Sequence, residues 1–393
     1  MVYQRAITQK LESELETKEI VVLTGMRQVG KTTLLKYLFS KVSSENKVFL
    51  DLGNPLSRKI FEEEDYNNIW ENLTESNVSK NSKAYIFLDE IQNMPKVIPA
   101  VKYLFDHYEV KFFLTGSSSY YLKNLFGESM AGRKVVFELF PLSFHEFLSF
   151  KNVDRSRSLP FAEMTKQKNY VSYQKLLPYY KEFLEYGGFP RVVLENNIER
   201  KGILLEEIFT SYFELDVKSL ADFKDISKLR DLILLLTSRI GSKIDVAKLS
   251  SELGVARETI YSYLEFLQKT YFLTLLGKHT GSLDRKVAGG KKVYFCDGGL
   301  ANKLAKVSWG QLFEQSVFTC LRPFCNLSFY DREGASEIDF VINGRIGLEV
   351  KTFAGKRDLI NLSNRAFSAG LEESFVVTYE YCKGSRTILS TNL

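Results

Sequence analysis

Residues Gly25-Met26-Arg27-Gln28-Val29-Gly30-Lys31-Thr32 match the pattern GxxxxGK[ST] at every fixed position, with the apolar run IVVLT before them and TTLLKYLF after. A strand, a glycine-bearing turn and a helix in that order form a loop whose backbone N–H groups can wrap phosphate oxygens. Glycine permits the turns that wrapping needs, and the helix start adds partial positive charge. In that chemistry Lys31 reaches the β- and γ-phosphates of a nucleoside triphosphate and Thr32 offers its hydroxyl to Mg²⁺. Arg27, Gln28 and Val29 line the loop and Thr33 follows it, so Gly25 through Thr33 hold the residues expected to bind ATP.

A glycine-rich turn with a chance lysine shares this pattern, but a second motif argues against coincidence. Tyr85-Ile86-Phe87-Leu88-Asp89-Glu90 is an apolar run ending in two acids. Asp89 is expected in the Mg²⁺ shell, and Glu90 is expected to orient or polarise the attacking water. A third run, Phe112-Phe113-Leu114-Thr115-Gly116-Ser117, also ends in polar side chains. Ligands of open α/β sheets sit at the carboxyl edge of the strands. Thr115 or Ser117 is therefore either a γ-phosphate sensor or a cap for the helix that follows.

These motifs need a sheet to carry them. Apolar runs predict strands at 20–24, 47–52, 84–88, 111–115 and 134–139, with a helix over 31–40. Short apolar strands separated by helices imply a parallel sheet covered on both faces. After Pro141 the pattern changes. Residues 151–170 read as a polar surface excursion, 176–186 and 201–220 as helices around the break Gly187-Gly188-Phe189-Pro190, and 226–276 as a compact helical module.

Composition sets outer limits. The chain has 393 residues, 45% hydrophobic and 26% charged, which fits two or three ordinary globular domains. A net charge of +5 permits a nucleic-acid partner without demanding one. Cys296, Cys320, Cys325 and Cys382 form no CxxC pair, so zinc is not expected and the thiols read as reduced. The longest aliphatic run, 232–236, is too short for a bilayer, and the first residues lack a signal-peptide core. A cytoplasmic protein with no membrane partner is expected.

The stretches GMRQVGKTTLL, FLDEIQ, FLTGSS, GRKVVFELFPLSFHEF, YGGFPRVV and VYFCDGGLANKL together resemble AAA+-related bacterial and archaeal ATPases that carry an uncharacterised C-terminal domain. The resemblance runs through most of the chain. It implies an AAA+-type core with a helical lid. It also implies an arginine-finger role for Arg133, just before the last core strand, where a guanidinium can reach a neighbouring subunit's γ-phosphate in a homo-oligomer. Arg191 is a candidate lid sensor.

The middle module suggests a winged helix-turn-helix: Asp245 caps a helix through Leu253, Gly254 turns the chain, and 256–269 forms a second helix with Ile260, Leu264 and Leu267 inward. Its outward residues Arg257, Glu258, Tyr261, Ser262 and Glu265 include fewer cations and amides than DNA-reading helices usually expose. The module could equally be one that only packs. Lys278, Arg285, Lys286, Lys291 and Lys292, against Asp284, form a basic cluster that is either a phosphate contact or a solvated loop.

Farther on, Glu337-Ile338-Asp339 and Glu349-Val350-Lys351 resemble the D…ExK core of PD-(D/E)xK nucleases. There two carboxylates, here Asp339 and Glu349, hold Mg²⁺ against a scissile phosphate while a lysine, here Lys351, acts on water. A three-residue loop over 343–345 pairs 342 with 346 and 340 with 348. That register gathers Asp339, Glu349 and Lys351 on one face, whereas a two-residue loop mixes acid with core. Glu314, on a helix over 310–321, resembles the additional acid of such folds. An amphipathic hairpin with an exposed E-x-K pair would look the same.

The expected fold is α/β: a P-loop AAA+-type parallel sheet core (1–150), a helical lid (151–222), a winged-helix-like module (223–285) and a C-terminal α/β restriction-endonuclease-like domain (286–393). The expected function is Mg²⁺-dependent ATP hydrolysis acting on nucleic acid, with DNA the candidate partner. The alternative is a nucleotide-gated switch whose nuclease-like domain is inactive and serves for docking.

Overall fold

The computed structural model describes residues 4–117, 130, 132–153, 160–218, 225–281, 289–332 and 336–393. The chain divides into two compact units, Met1–Phe140 with Lys269–Tyr271, and Pro141–Gln268 with Phe272–Leu393.

The first unit is built on β1 (Ile20–Thr24), β2 (Lys47–Asp51), β3 (Ala84–Asp89), β4 (Val110–Gly116) and β5 (Lys134–Glu138), with helix α1 (Lys31–Lys41) after β1 and α2 (Val97–His107) before β4. The spatial order is β2-β3-β4-β1-β5 and every pairing is parallel. The expected strands are all present, within a residue or two at their ends. β1, β3 and β4 are buried at every position, which is why they read as unbroken apolar runs. The edge strands β2 and β5 are only partly covered. Ile20, Val22, Ile86, Leu88, Phe112 and Leu114 join Val97, Val101 and Leu104 of α2 in one apolar cluster. Sequence alone does not give the strand order, and it matters most: β4 lies between β1 and β3.

In the second unit the chain runs through helices α3 (Tyr170–Tyr186), α4 (Ile198–Tyr212), α5 (Ile226–Thr237), α6 (Val246–Leu253) and α7 (Arg257–Lys269). A two-stranded antiparallel ribbon, β6 (Leu273–Leu276) with β7 (Lys292–Phe295), follows. Then come α8 (Gly298–Leu304), α9 (Trp309–Leu321) and a sheet in which α10 (Lys356–Ser368) separates β10 from β11. The sheet comprises β8 (Leu327–Arg332), β9 (Ser336–Ile342), β10 (Ile346–Lys351), β11 (Glu373–Thr378) and β12 (Thr387–Leu389), ordered β12-β11-β10-β9-β8. Strands β8, β9 and β10 pair antiparallel; β10, β11 and β12 pair parallel.

Asp245 caps α6 by accepting from Lys248 N, and Gly254 closes it in the left-handed region at φ 65°, as its position predicts. The expected helix over 201–220 starts at Ile198 and passes into a π-helical turn over Phe213–Val217, and residues 219 and 220 lie outside the described residues. The segment 151–170 is not wholly a surface excursion. Phe161 and Met164 are buried in a short helix, and the Phe161 ring lies 6.3 Å from that of Phe375. Among the described residues no helix is long and apolar enough to cross a membrane.

The motifs YGGFP and CDGG meet in space. Asp297 caps α8 through Leu300 N and also accepts from Gly188 N at 2.7 Å. Gly187 adopts φ 73°, and a Cβ on Gly299 would lie 2.1 Å from the Tyr186 carbonyl carbon. Backbone cannot yield as a flexible side chain does. Gly299→Ala should therefore cost about 1–3 kcal/mol or more of stability. The urea midpoint of the purified variant should fall, and an unchanged midpoint would contradict this packing.

Candidate functional site

The phosphate loop leaves β1 at Thr24 and enters α1 at Lys31. Gly25 has φ 149°, and a Cβ there would sit 2.1 Å from the Leu139 carbonyl oxygen, so this position admits only glycine. Gln28 at φ 63° and Gly30 at φ 100° complete the reversal. The loop is anchored inward: Val29 and Met26 are buried, Arg27 and Gln28 are half-buried, and Thr33 is exposed on α1. Lys31 is only 5% exposed, and its Nζ donates to the carbonyls of Gly25 and Met26 at 2.9 Å each. The ammonium thus lies over the loop that would hold the phosphates. The buried hydroxyl of Thr24, where the loop begins, has no hydrogen-bond partner among the described residues.

Asp89 ends β3 and is 2% exposed. Because β4 is the neighbour of β3, Thr115 reaches it: the Thr115 hydroxyl donates to Asp89 Oδ1 and accepts from Glu90 N at 3.1 Å. Burial pushes the Asp89 carboxyl above its ordinary pKa. Hydrogen bonds from Thr115 and Thr32 pull it back, and the charges of Glu90 and Asp51 raise it again. The Thr32 hydroxyl is therefore near enough to the Asp89 carboxylate to lower its pKa. A hydroxyl beside a buried carboxylate is a fitting donor set for Mg²⁺, which takes hard oxygen ligands.

Glu90 holds φ 56°, an unusual left-handed conformation for this residue, of a kind that concentrates at functional sites. The amide of Gln92 donates to the Glu90 carboxylate, and its oxygen accepts from Ser117 N at 3.4 Å. Ser117, 2% exposed, thus enters the site through its backbone, while Thr115 supplies the side chain that touches the acid.

Two residues of this site escape sequence reasoning. Gln92 lies within a recognised stretch, but nothing in its type announces that it grips Glu90. Arg5 lies outside every motif. Its guanidinium donates to the Val29 carbonyl at 2.9 Å and to the Phe140 carbonyl at 2.7 Å, bracing the loop from below.

Arg133 stands at the amino-terminal end of β5, the sheet edge opposite the phosphate loop, in a two-point ion pair with Asp106. It is therefore remote from its own chain's loop. Arg191 is exposed and pairs with Glu207 at 2.9 Å.

In the second unit the hairpin has the expected register: Ile342 pairs with Ile346 and Phe340 with Leu348 across a turn at 343–345. Asp339 and Glu349 come together, with Asp339 Oδ2 accepting from Val350 N at 2.8 Å. Each acid already has a cation. Glu349 pairs with Arg365 at 2.5 Å and Lys351 at 3.3 Å. Lys292 from β7, 2% exposed, reaches Glu337 at 2.5 Å and both Glu314 and Asp339 at 3.7 Å. Tyr294 donates to Glu314 at 2.6 Å. Burial, then the charge of Asp339, raises Glu314 to about 7. Burial also raises Asp339, against the pull of Lys292.

The expected basic cluster takes a different form. Lys292 is buried among acids and Lys278 lies 3.9 Å from Asp331, so neither is a solvated loop charge. Lys291 is exposed, while Asp284, Arg285 and Lys286 lie outside the described residues.

Comparison with known proteins agrees with the geometry of the first unit. Residues 17–148 match the family model described as an AAA domain, and residues 177–311 match a domain of unknown function (DUF8612). The second match spans parts of the three segments into which the sequence divides the chain after residue 150. An uncharacterized protein of Methanocaldococcus jannaschii, MJ1544, is 29% identical over 354 residues, covering 86% of this chain and 76% of that protein. An uncharacterized protein of Haemophilus influenzae is 29% identical over 284 residues, 69% of this chain and 65% of the relative. Among solved structures, the Walker-type ATPase PABY2304 of Pyrococcus abyssi aligns at TM-score 0.48 and 14% identity, over 77% of this chain and 96% of that one. The first unit has an AAA-type P-loop ATPase fold.

Arg5→Met should leave the buried Val29 carbonyl without its charged donor, at about 1–3 kcal/mol. The phosphate loop should loosen and ATP affinity fall by about 10-fold or more in an equilibrium titration, with partial recovery in Arg5→Lys. Unchanged affinity would mean that the loop holds its shape without this brace.

Proposed function

We propose that the chain is a Mg²⁺-dependent ATP hydrolase that acts on nucleic acid. The observation that carries the first half is the hydrogen bond from Thr115 to Asp89, which lies near Thr32 of the loop that Lys31 covers. Lys31 would exchange its two loop carbonyls for the β- and γ-phosphate oxygens. The loop N–H groups and the start of α1 would hold the same oxygens from the other side. Thr32 and Asp89 would hold Mg²⁺, which when bound neutralises charge across the phosphates. Glu90 would orient the attacking water, and Gln92 fixes where that carboxylate points. Thr115 ties Asp89 to the backbone of Glu90, so the two acids keep one geometry.

Arg133 is proposed to complete the site of a neighbouring copy, where a guanidinium would offset charge on the transferring phosphoryl group. It would first have to leave Asp106, and this role requires a homo-oligomer.

Support for nucleic acid comes from the second unit. Helices α5, α6 and α7 with the β6–β7 ribbon have the make-up of a winged helix. Arg257, Tyr261 and Lys291 line one cleft beside α7. The C-terminal sheet, with Asp339, Glu349 and Lys351 gathered on adjacent strands, supports a PD-(D/E)xK-like fold. The division into lid, winged-helix-like module and nuclease-like domain at residues 151–222, 223–285 and 286–393 is part of the same proposal.

Glu90→Gln should keep ATP affinity and lose about 10²-fold or more in kcat, as expected when the group that works on water is removed. Steady-state turnover at saturating ATP reads this, and wild-type turnover in the variant would remove Glu90 from the reaction. In the same assay duplex DNA should raise the wild-type rate. A rate indifferent to both DNA and RNA would set aside the nucleic-acid half while leaving the hydrolase half standing.

A further inference from the structure

The nuclease-like reading of the second unit raises the question of which cation its acids hold, and the following inference rests on that reading alone, not on ATP hydrolysis. We infer that the ammonium of Lys292 occupies the cation position of the Glu314–Glu337–Asp339 cluster, so that the native chain takes no divalent metal there. Lys292 is 2% exposed, and its Nζ lies within 4 Å of a carboxylate oxygen of each of the three acids. A buried ammonium in that place offsets part of the carboxylate charge that a metal ion would otherwise meet.

Two of these acids have further partners. Asp339 turns Oδ2 to the backbone N–H of Val350, and Tyr294 donates to the Glu314 oxygen that faces Lys292. Glu349, which a D…ExK site needs as its second ligand, is held by Arg365 and Lys351. Arg365 also donates to the Glu337 carbonyl, so it is anchored to β9 and not free to swing away. Mg²⁺ and Mn²⁺ demand several oxygens at close range, and an ammonium inside the same ring of carboxylates both blocks the space and repels the charge.

The source of the lysine gives the arrangement a consequence. Lys292 belongs to β7 of the ribbon, whereas the acids belong to α9 and β9. The cluster therefore acts as an ionic socket that fastens the ribbon to the C-terminal sheet. The cleft beside it, lined by Glu337, Glu349, Lys351, Asp358 and Arg365 among others, is left without metal chemistry.

The test is Mn²⁺ binding to the full chain without nucleotide, by electron paramagnetic resonance and by the Mn²⁺-induced shift in melting temperature. Wild type and Asp339→Asn should give the same Mn²⁺ titration, with no site that depends on Asp339. Lys292→Met, which keeps the length of the chain without its charge, should gain one Mn²⁺ site and a rise in melting temperature on adding Mn²⁺. The double variant with Asp339→Asn should lose both. An Asp339-dependent Mn²⁺ site in the wild type would overturn the inference, as would a folded Lys292→Met that gains none. The wild-type comparison does not need residue 292 to be changed, so it can overturn the inference even if Lys292→Met fails to fold.

Discussion

The first unit depends on one buried contact, the hydroxyl of Thr115 against the carboxylate of Asp89. It exists because β4 is inserted between β1 and β3. That insertion brings a polar strand end against an acid that burial would otherwise leave unsupported, and it places both beside the loop that follows β1. A buried carboxylate is costly without a charged partner. Here the groups that hydrogen-bond to Asp89 are hydroxyls, those of Thr115 and Thr32. Burial raises its pKa, and a cation bound between Asp89 and Thr32 would favour the ionised carboxylate.

The second unit supplies cations from within. Its acids on α9, β9 and β10 are less deeply set than Asp89, and Lys292, Lys351 and Arg365 come with them. The two acidic centres therefore differ in kind. In one, hydroxyls hydrogen-bond to an acid that is proposed to take a cation, and in the other a lysine from the ribbon meets acids of the sheet and α9. Removing one member of such a buried set leaves the others uncompensated, so it is disruptive even though the intact set adds little net stability.

Much of this was legible from residue order. The strands of the first sheet read as apolar runs because both faces are covered, and the loop from Gly25 to Thr32 announced itself by pattern. The β9–β10 register followed from the argument that a slip of one residue would turn Asp339 into the core. What could not be read was lateral order and anything that depends on it. No periodicity says that Thr115 faces Asp89. Nor does any say that Arg5, far upstream, braces Val29, or that a lysine assigned to a basic loop is buried among three acids. Lys292 looked like part of a basic surface because its neighbours in sequence are cationic, whereas its neighbours in space are not. The stretch after residue 150 misled in the opposite direction: polar letters around Phe161 and Met164 hid two side chains that pack into the second unit's core.

The most direct test of the account is an equilibrium titration of ATP with Mg²⁺ against the wild-type chain and Lys31→Ala, both shown to be folded by the same melting profile. The account predicts saturable binding by the wild type and none by the variant over the same range, because the loop loses the ammonium proposed to hold the β- and γ-phosphates. Equal affinity in the two proteins would contradict it.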